Sequence, residues 1–216
     1  MATLNFDMLS LYRQSLENFV SFTDEEWAIF TEHLYLRNIK KREAFVLGGK
    51  VCQEVGFIVS GSFRFFFVKE GGGEISNYFC FENELVSSYK SFLKNEPSLT
   101  NIEALEDSEV ICFSKQALLQ LSVNPKIAFK LEHFGRMVAE YLICCYEERV
   151  VSFVTQTPEE RYRQLLHQQP DLLQRIPQHY VANFLGITPV SLSRIRKRIS
   201  RATTRSKQNL ALAQIS

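Results

Sequence analysis

Residues 176–199, IPQHYVANFLGITPVSLSRIRKRI, are spaced as two short helices around one tight turn. Pro177 can open the first helix, and Tyr180, Val181, Phe184 and Leu185 recur at three-to-four-residue spacing, which gives it one apolar side. Gly186 ends it, because glycine pays no Cβ penalty in the left-handed conformation of a helix stop, and Ile187 can pin the two helices together. Thr188 and Pro189 restart the chain as N-cap and first helical residue. Beyond them Val190, Ser191, Arg194, Lys197 and Arg198 share an outer face, while Leu192, Ile195 and Ile199 fall on an inner one. The pattern predicts a helix-turn-helix whose second helix can enter a major groove.

Charge supports that reading over a plain helical hairpin. All 24 acidic residues lie at or before Asp171, whereas residues 172–216 carry Arg175, Arg194, Arg196, Lys197, Arg198, Arg201, Arg205 and Lys207. The last segment is therefore +8 and the remainder, with 17 cations against 24 acids, is −7; the net charge of +1 hides a divided molecule. A positive end with no counter-charge is the footprint of a polyanion binder.

A chain of 216 residues with 45% hydrophobic content can build one large or two modest cores without staples. No apolar run reaches the length that spans a bilayer. The first residues, MATLNFDMLSLYRQ, carry an acid and no basic start before their apolar positions, so no secretion signal and a cytoplasmic location are expected. Five cysteines, at 52, 80, 112, 144 and 145, form no Cys-x-x-Cys pair and have no histidine cluster nearby. Reduced, mostly buried thiols and no metal site are expected.

Upstream, Thr23 and Glu26 form a capping box for a helix whose buried side is Trp27, Phe30 and Leu34. The period then changes to that of strands at 45–47, 54–59, 62–68, 74–81, 85–87, 100–104 and 108–113, rich in β-branched and aromatic residues and separated by glycines. Gly71, Gly72 and Gly73 read as a hairpin tip and not a phosphate cradle, since a strand follows and no helix N-terminus faces the loop. Such short, evenly spaced strands predict an antiparallel barrel or sandwich. Within it the polar stretch SSYKSFLKNEPSL, residues 87–99, is a loop of the kind that often carries function. The acidic cluster Glu103, Glu106, Asp107 and Glu109 has no partner His or Lys in pattern and reads as a solvated turn, not a catalytic site.

Ser114 can cap a short helix, after which Asn124 and Pro125 start a long one reaching about Phe153. Ile127, Leu131, Phe134, Val138, Tyr141 and Cys145 repeat at alternating four and three, and Met137, Ala139, Leu142, Ile143 and Tyr146 add more apolar surface. Two apolar stripes suit one domain and one partner, with Phe134, Val138, Tyr141 and Cys145 as the expected seam of a homodimer. A hinge is expected at 154–156, where Thr157, Pro158 and Glu160 cap a new helix that Pro170 stops. The tail beyond Ile199 has weak pattern and is expected to fray.

In this order of elements, and in the phrases LGITPVSLSRIRKR, ERYRQLL, FLKNEPS and IEALEDSEV, the chain resembles the cyclic-AMP receptor protein and fumarate–nitrate reductase regulator (CRP/FNR) family of bacterial transcription factors, in the branch without the usual cyclic-nucleotide signature. The resemblance implies an α+β chain: a double-stranded β-helix or jelly roll of the cyclic-nucleotide-binding kind over 1–123, a dimerisation helix and hinge over 124–155, a winged-helix-type helix-turn-helix over 156–200 and a tail over 201–216. It implies a homodimer on double-stranded DNA at a near-palindromic operator, with RNA polymerase as a candidate partner and no membrane. Thr188 keeps the family's cap and Arg194 its later base-reading arginine, while Pro189 and Val190 replace the usual Arg-Glu pair. Arg194 is then expected on a guanine and Val190 on a thymine methyl. Thr188, Ser191, Lys197 and Gln178 are expected on phosphates.

The family's cyclic-nucleotide binders carry Gly-Glu and Arg-Ser or Arg-Thr pairs where this chain has approximately Ser87 and Ser88, then Ser98 and Leu99, with Thr100 beside them. A buried phosphate would lack its arginine here, so cyclic AMP is not the expected effector. No cofactor is expected. The roll either senses a small molecule of another class, through Ser87, Ser88, Ser98, Leu99 and Thr100, or serves as scaffold. A different reading of the whole is a small-ligand signalling module whose C-terminal helices dock a protein.

Overall fold

The computed structural model describes residues 4–168 and 172–213 of the 216-residue chain. Its helices are α1 (Phe6–Leu16), α2 (Asp24–Thr31), α3 (Tyr89–Lys94), α4 (Lys115–Ser122), α5 (Ala128–Thr155), α6 (Pro158–Gln168), α7 (Leu172–Arg175), α8 (Gln178–Phe184) and α9 (Pro189–Ala213). Its strands are β1 (Tyr35–Ile39), β2 (Ala44–Val46), β3 (Glu54–Ser60), β4 (Phe63–Val68), β5 (Glu74–Cys80), β6 (Leu85–Val86), β7 (Asn101–Ala104) and β8 (Ser108–Ser114). Two compact units divide the chain, Met1–Glu148 and Arg149–Ser216, and the division falls inside α5.

In the first unit two four-stranded antiparallel sheets, ordered β1-β8-β3-β6 and β2-β7-β4-β5, make a jelly roll. Phe57, Ile58, Val110 and Ile111 of β3 and β8 are all buried in one cluster with Phe45, Phe63 and Ile102; neighbours along a strand face opposite sides, so both faces of this sheet are covered. Gly56 lies where a side chain could not: a Cβ there would be 2.4 Å from Val110 Cγ1 and 3.0 Å from Val86 Cγ1. Gly72, with φ +78°, turns the β4–β5 hairpin, in which Lys69 N donates to Gly73 O at 2.8 Å. The three glycines are a hairpin tip, and β4 pairs with β5 in antiparallel register.

The capping box at Thr23 is present, with Thr23 N donating to Glu26 Oε2 at 2.7 Å. Two elements beyond the sequence reading flank it. Helix α1 starts from Asn5, whose Oδ1 accepts from Met8 N at 2.9 Å, and its Tyr12 ring stacks on Phe57 with centroids 4.5 Å apart. Strand β1 pairs with β8, Tyr35 opposite Cys112, and completes the sheet.

A turn at Asn124 leads into α5, as Ala128 N donates to Asn124 O at 2.9 Å. The four residues assigned to a partner seam are divided by the fold. Phe134 is buried in the core of its own unit, edge-on to Phe19, and Val138 packs against that core. Tyr141, half exposed, meets Phe19 edge-on, and Cys145 is half-buried beside it. Phe134 and Val138 thus belong to the inward stripe, whereas Tyr141 keeps 49% of its surface exposed. The periodicity marks two stripes but carries no sign for which one meets the roll.

The second unit is helical, with no strand following β8 among the described residues. Thr157 N donates to Glu160 Oε2 at 2.7 Å, and Thr157 Oγ1 accepts from Glu160 N, so α6 opens with the expected capping box. The expected stop at Pro170 lies outside the described residues. Helix α9 does not end near Ile199: it continues to Ala213. Neither proline nor glycine follows Pro189, so nothing in the sequence interrupts the helix once Thr188 has started it.

Candidate nucleic-acid interface

The turn between α8 and α9 is held by local backbone chemistry. Gly186 takes φ +74°, Gly186 N donates to Asn183 O at 3.0 Å, and Ile187 N donates to Ala182 O at 3.0 Å, which satisfies the last carbonyls of α8. Thr188 then caps α9, with its Oγ1 accepting from Ser191 N at 3.2 Å and lying 3.0 Å from Ser191 Oγ. Val181, Ala182, Leu185, Leu192 and Ile195 are buried between the two helices. Their burial leaves the opposite side of α9 to solvent.

On that side Thr188, Pro189, Val190, Arg194 and Lys197 are exposed, Val190 at 62%, and Ser191 is half-buried by its role in the cap. No hydrogen bond or ion pair holds the Arg194 or Lys197 side chain among the described residues, so a guanidinium fork and an ammonium stand ready for an external acceptor. Gln178 is also exposed, but its Oε1 accepts from Arg196 Nη1 at 2.7 Å. Arg198 departs from the expected outer face. Its Nε donates to Glu159 Oε2 at 2.6 Å, and Arg163 Nη2 reaches Glu159 Oε1 at 2.8 Å. The Arg198 guanidinium, then that of Arg163, holds the Glu159 carboxyl below its ordinary range. Arg198 ties α9 to α6 and is not part of the reading face.

Two arginines that sequence pattern did not single out set this pair of helices in place. Arg161 Nη1 donates to Gln156 O at 2.5 Å and Ser152 O at 3.4 Å, and its Nη2 donates to Leu185 O at 3.0 Å. Arg149 Nη2 donates to Phe184 O at 3.2 Å. The guanidinium of Arg149 lies 3.7 Å from the Phe184 ring centroid, and those of Arg149 and Arg161 lie 4.7 and 4.5 Å from that of Phe153. Free carbonyls at two helix ends thus converge on cations that suit their dipoles. The only sequence sign was that ERYRQLL has an arginine on its otherwise apolar side.

In the roll, the structure brings together Ser87, Ser88, Ser98 and Thr100 and leaves Leu99 out at 73% exposure. Ser98 Oγ lies 2.8 Å from Ser88 Oγ and 2.7 Å from Thr100 O, and accepts from Thr100 N at 3.2 Å. Ser87 Oγ donates to Glu54 O at 2.9 Å, and Ser91 Oγ, donating to Glu96 O, accepts from Cys52 N at 2.9 Å. These hydroxyls staple the α3 segment to the roll. Ser88 and Ser98 are buried, and Ser98 N donates to Lys50 O at 2.8 Å.

The acidic residues of the 103–109 cluster have structural partners. Asp107 pairs with Lys40 at 2.8 Å, Glu103 and Glu74 with the buried Arg64 at 3.3 and 2.7 Å, and Ser62 donates to Glu106. Cys52, Cys80 and Cys112 are buried, Cys144 is exposed, and no group of three potential metal ligands occurs among the described residues. No helix is long and apolar enough to cross a membrane among the described residues.

Comparison with known proteins bears on the fold. Residues 36–124 match the family described as Cyclic nucleotide-binding domain. No curated protein matches the chain in sequence. Among solved structures, the c-di-GMP responsive global regulator CLP of Xanthomonas campestris is similar with a TM-score of 0.67 at 15% identity, covering 84% of this chain and 93% of that one. FixK2 from Bradyrhizobium japonicum gives 0.65 at 17% identity, covering 79% and 86%. A transcriptional regulator of the CRP/FNR family from Eubacterium rectale gives 0.59 at 15% identity, covering 87% of each chain. The likeness is one of fold: roll, long helix and C-terminal helices in the same order.

Proposed function

We propose that this chain, a cyclic-nucleotide-binding-type roll joined to a helix-turn-helix in the fold of the CRP/FNR regulators, is a sequence-specific DNA-binding transcriptional regulator of the cytoplasm that acts as a homodimer. One observation carries the reading: α9 presents Val190, Arg194 and Lys197 to solvent from a capped, glycine-stopped turn, within a segment that holds eight cations and no acid. A helix pair that docked a protein would have no need of such one-signed charge, which is what a polyphosphate demands.

In this reading Arg194 forks onto O6 and N7 of a guanine and Val190 meets a thymine methyl. Thr188, Pro189 and Ser191 sit at the capped end of α9, where its first turn approaches the backbone, and Lys197 neutralises a phosphate. Gln178 acts through Arg196, whose guanidinium it holds, as well as through its own amide.

The homodimer seam in this reading is the outward stripe of α5, Ala139, Ile143 and Tyr146, continued by Val150, and not Phe134 and Val138. Ile143 is 65% and Tyr146 61% exposed, an apolar face that a second α5 would cover in coiled-coil fashion. RNA polymerase is a candidate partner of the bound dimer. In this reading cyclic AMP is not the effector, because the Ser88 and Ser98 hydroxyls bond to each other and Ser98 and Leu99 stand near where the family's nucleotide binders carry their Arg-Ser pair. An effector of another class, or a scaffold role, suits Ser87, Ser88, Ser98, Leu99 and Thr100 better. The nucleotide response in the description of CLP belongs to that protein.

The test is operator selection from a random duplex library with the full-length protein, followed by binding of each substituted site. Arg194→Ala is expected to erase preference at one guanine per half-site, about 1–3 kcal/mol of discrimination, while Lys197→Ala weakens all sequences alike. Equal losses on every operator variant for both substitutions would remove Arg194 from base reading. Selection that returns no enriched sequence would overturn the regulator reading itself.

A further inference from the structure

We propose that the stretch of α9 around Arg201 is a clamp for the DNA phosphate backbone flanking the half-site, with Arg201 as its anchor; this rests on the DNA-binding reading above. The helix runs without a break from Pro189 to Ala213, well past the two to three turns a groove reader needs. Along it Val190, Arg194, Lys197 and Arg201 follow at spacings of four, three and four, and in sequence Arg205 continues the same register. At about 100° per residue Val190, Arg194, Lys197 and Arg201 fall within roughly 60° of arc, so the side that presents Arg194 carries one cationic stripe as far as Arg201.

Length decides what the far end of that stripe can touch. Arg201 lies eleven positions beyond Val190, roughly 16 Å along the axis at about 1.5 Å per residue. The major groove is only about 12 Å wide. With the first turns of α9 on base edges, Arg201 lies past the groove wall, where only sugar and phosphate are in reach. Its exposed guanidinium can fork onto phosphate oxygens in two parallel hydrogen bonds.

A second observation supports the placement. Ser193, Arg196, Lys197, Ser200 and Arg201 line one shallow recess along this part of the helix, so hydroxyls and cations share one concave surface. Arg196 is held there by Gln178, which fixes the recess to the N-terminal end of α8. No acidic residue follows Asp171 to neutralise it.

The experiment uses the full-length protein and a mixed-sequence duplex of about 40 base pairs, with affinity measured from about 50 to 200 mM KCl. For Arg201→Gln, the slope of log affinity against log salt is expected to become shallower by about 0.9 per subunit, the loss of one phosphate contact. Lys69→Gln, which removes an exposed cation from the hairpin tip, is expected to leave the slope unchanged. On a duplex trimmed to the selected half-sites, wild type is expected to lose affinity towards that of Arg201→Gln, and the variant to lose little more. A slope unchanged by Arg201→Gln, or changed as much by Lys69→Gln, overturns the clamp while leaving the DNA-binding reading intact. Wild-type affinity that does not fall with salt overturns both.

Discussion

The α3 segment of the roll and the outer face of α9 are both rich in small polar and hydrogen-bonding side chains, and they use them in opposite ways. In the first, Ser87, Ser88, Ser91 and Ser98 spend their hydroxyls on one another and on backbone carbonyls of Glu54, Glu96 and Thr100. In the second, Thr188 and Ser191 cap the helix, and the cations Arg194, Lys197 and Arg201 point to solvent. A polar group already bonded inside a protein offers little to a ligand, since binding would first break what burial made necessary. In the proposed reading, recognition belongs to α9 and stapling to the serines.

The largest expected effect comes from removing what holds α9 in position. Arg161→Gln strips the carbonyls of Gln156 and Leu185 of a charged donor, and charged hydrogen bonds in part-buried settings are worth about 1.5–3 kcal/mol. Chemical denaturation followed through the helical signal should show a loss of about 3 kcal/mol in the second unit, with the roll's transition unmoved. Retention of full stability by Arg161→Gln would make the arginine an ornament of the surface.

Next in size is the α3 segment. Ser98→Ala leaves Thr100 N and the Ser88 hydroxyl buried without their partner, for a loss of about 2 kcal/mol, read as a lower melting temperature of the roll. A variant that melts as wild type does but gains affinity for an anion would erase the contrast, since the serines would then be donors in waiting. Cyclic AMP itself is expected to add nothing to the stability of wild type, read as an unmoved melting temperature, whereas a ligand held at 100 times its Kd would add about 2.7 kcal/mol of stability.

The smallest effect concerns pH. Arg198, then Arg163, depresses the Glu159 carboxyl, so the contribution of this contact is present above the ordinary glutamate pKa of about 4.3 and is lost as pH falls through the depressed folded value. Between neutral pH and about pH 3, wild type should lose slightly more stability in the second unit than Glu159→Gln, whose curve lacks that titration. Parallel curves for the two proteins would show that the ion pair, although present, contributes nothing measurable, as many exposed pairs do.

How much of this was legible without coordinates follows from how local each signal is. The stop at Gly186, the cap at Thr188 and the boxes at Thr23 and Thr157 depend on contacts three or four residues apart, and all appear where their residues stand. The strand positions from β2 to β8 were marked by alternation and glycine punctuation. Strand β1 was not, because YLRNI shows half-exposed residues on both sides and gains its identity from pairing with β8. On α5 periodicity marked two stripes, and only packing against the roll shows that Phe134 faces inward.

By itself, then, the sequence determined the order of elements, the helix-turn-helix and the segregation of cations behind Asp171, because caps, turns and net charge are properties of neighbouring residues. The tertiary structure alone decided that Arg198 pairs with Glu159, that Arg149 and Arg161 close the ends of α8 and α5, and that the serines near α3 bond to one another. In each of these cases the partner is distant along the chain or chosen among several equivalent groups. Which hydrogen bond a buried or bridging side chain makes is fixed by where the fold brings an acceptor, and no spacing rule carries that information.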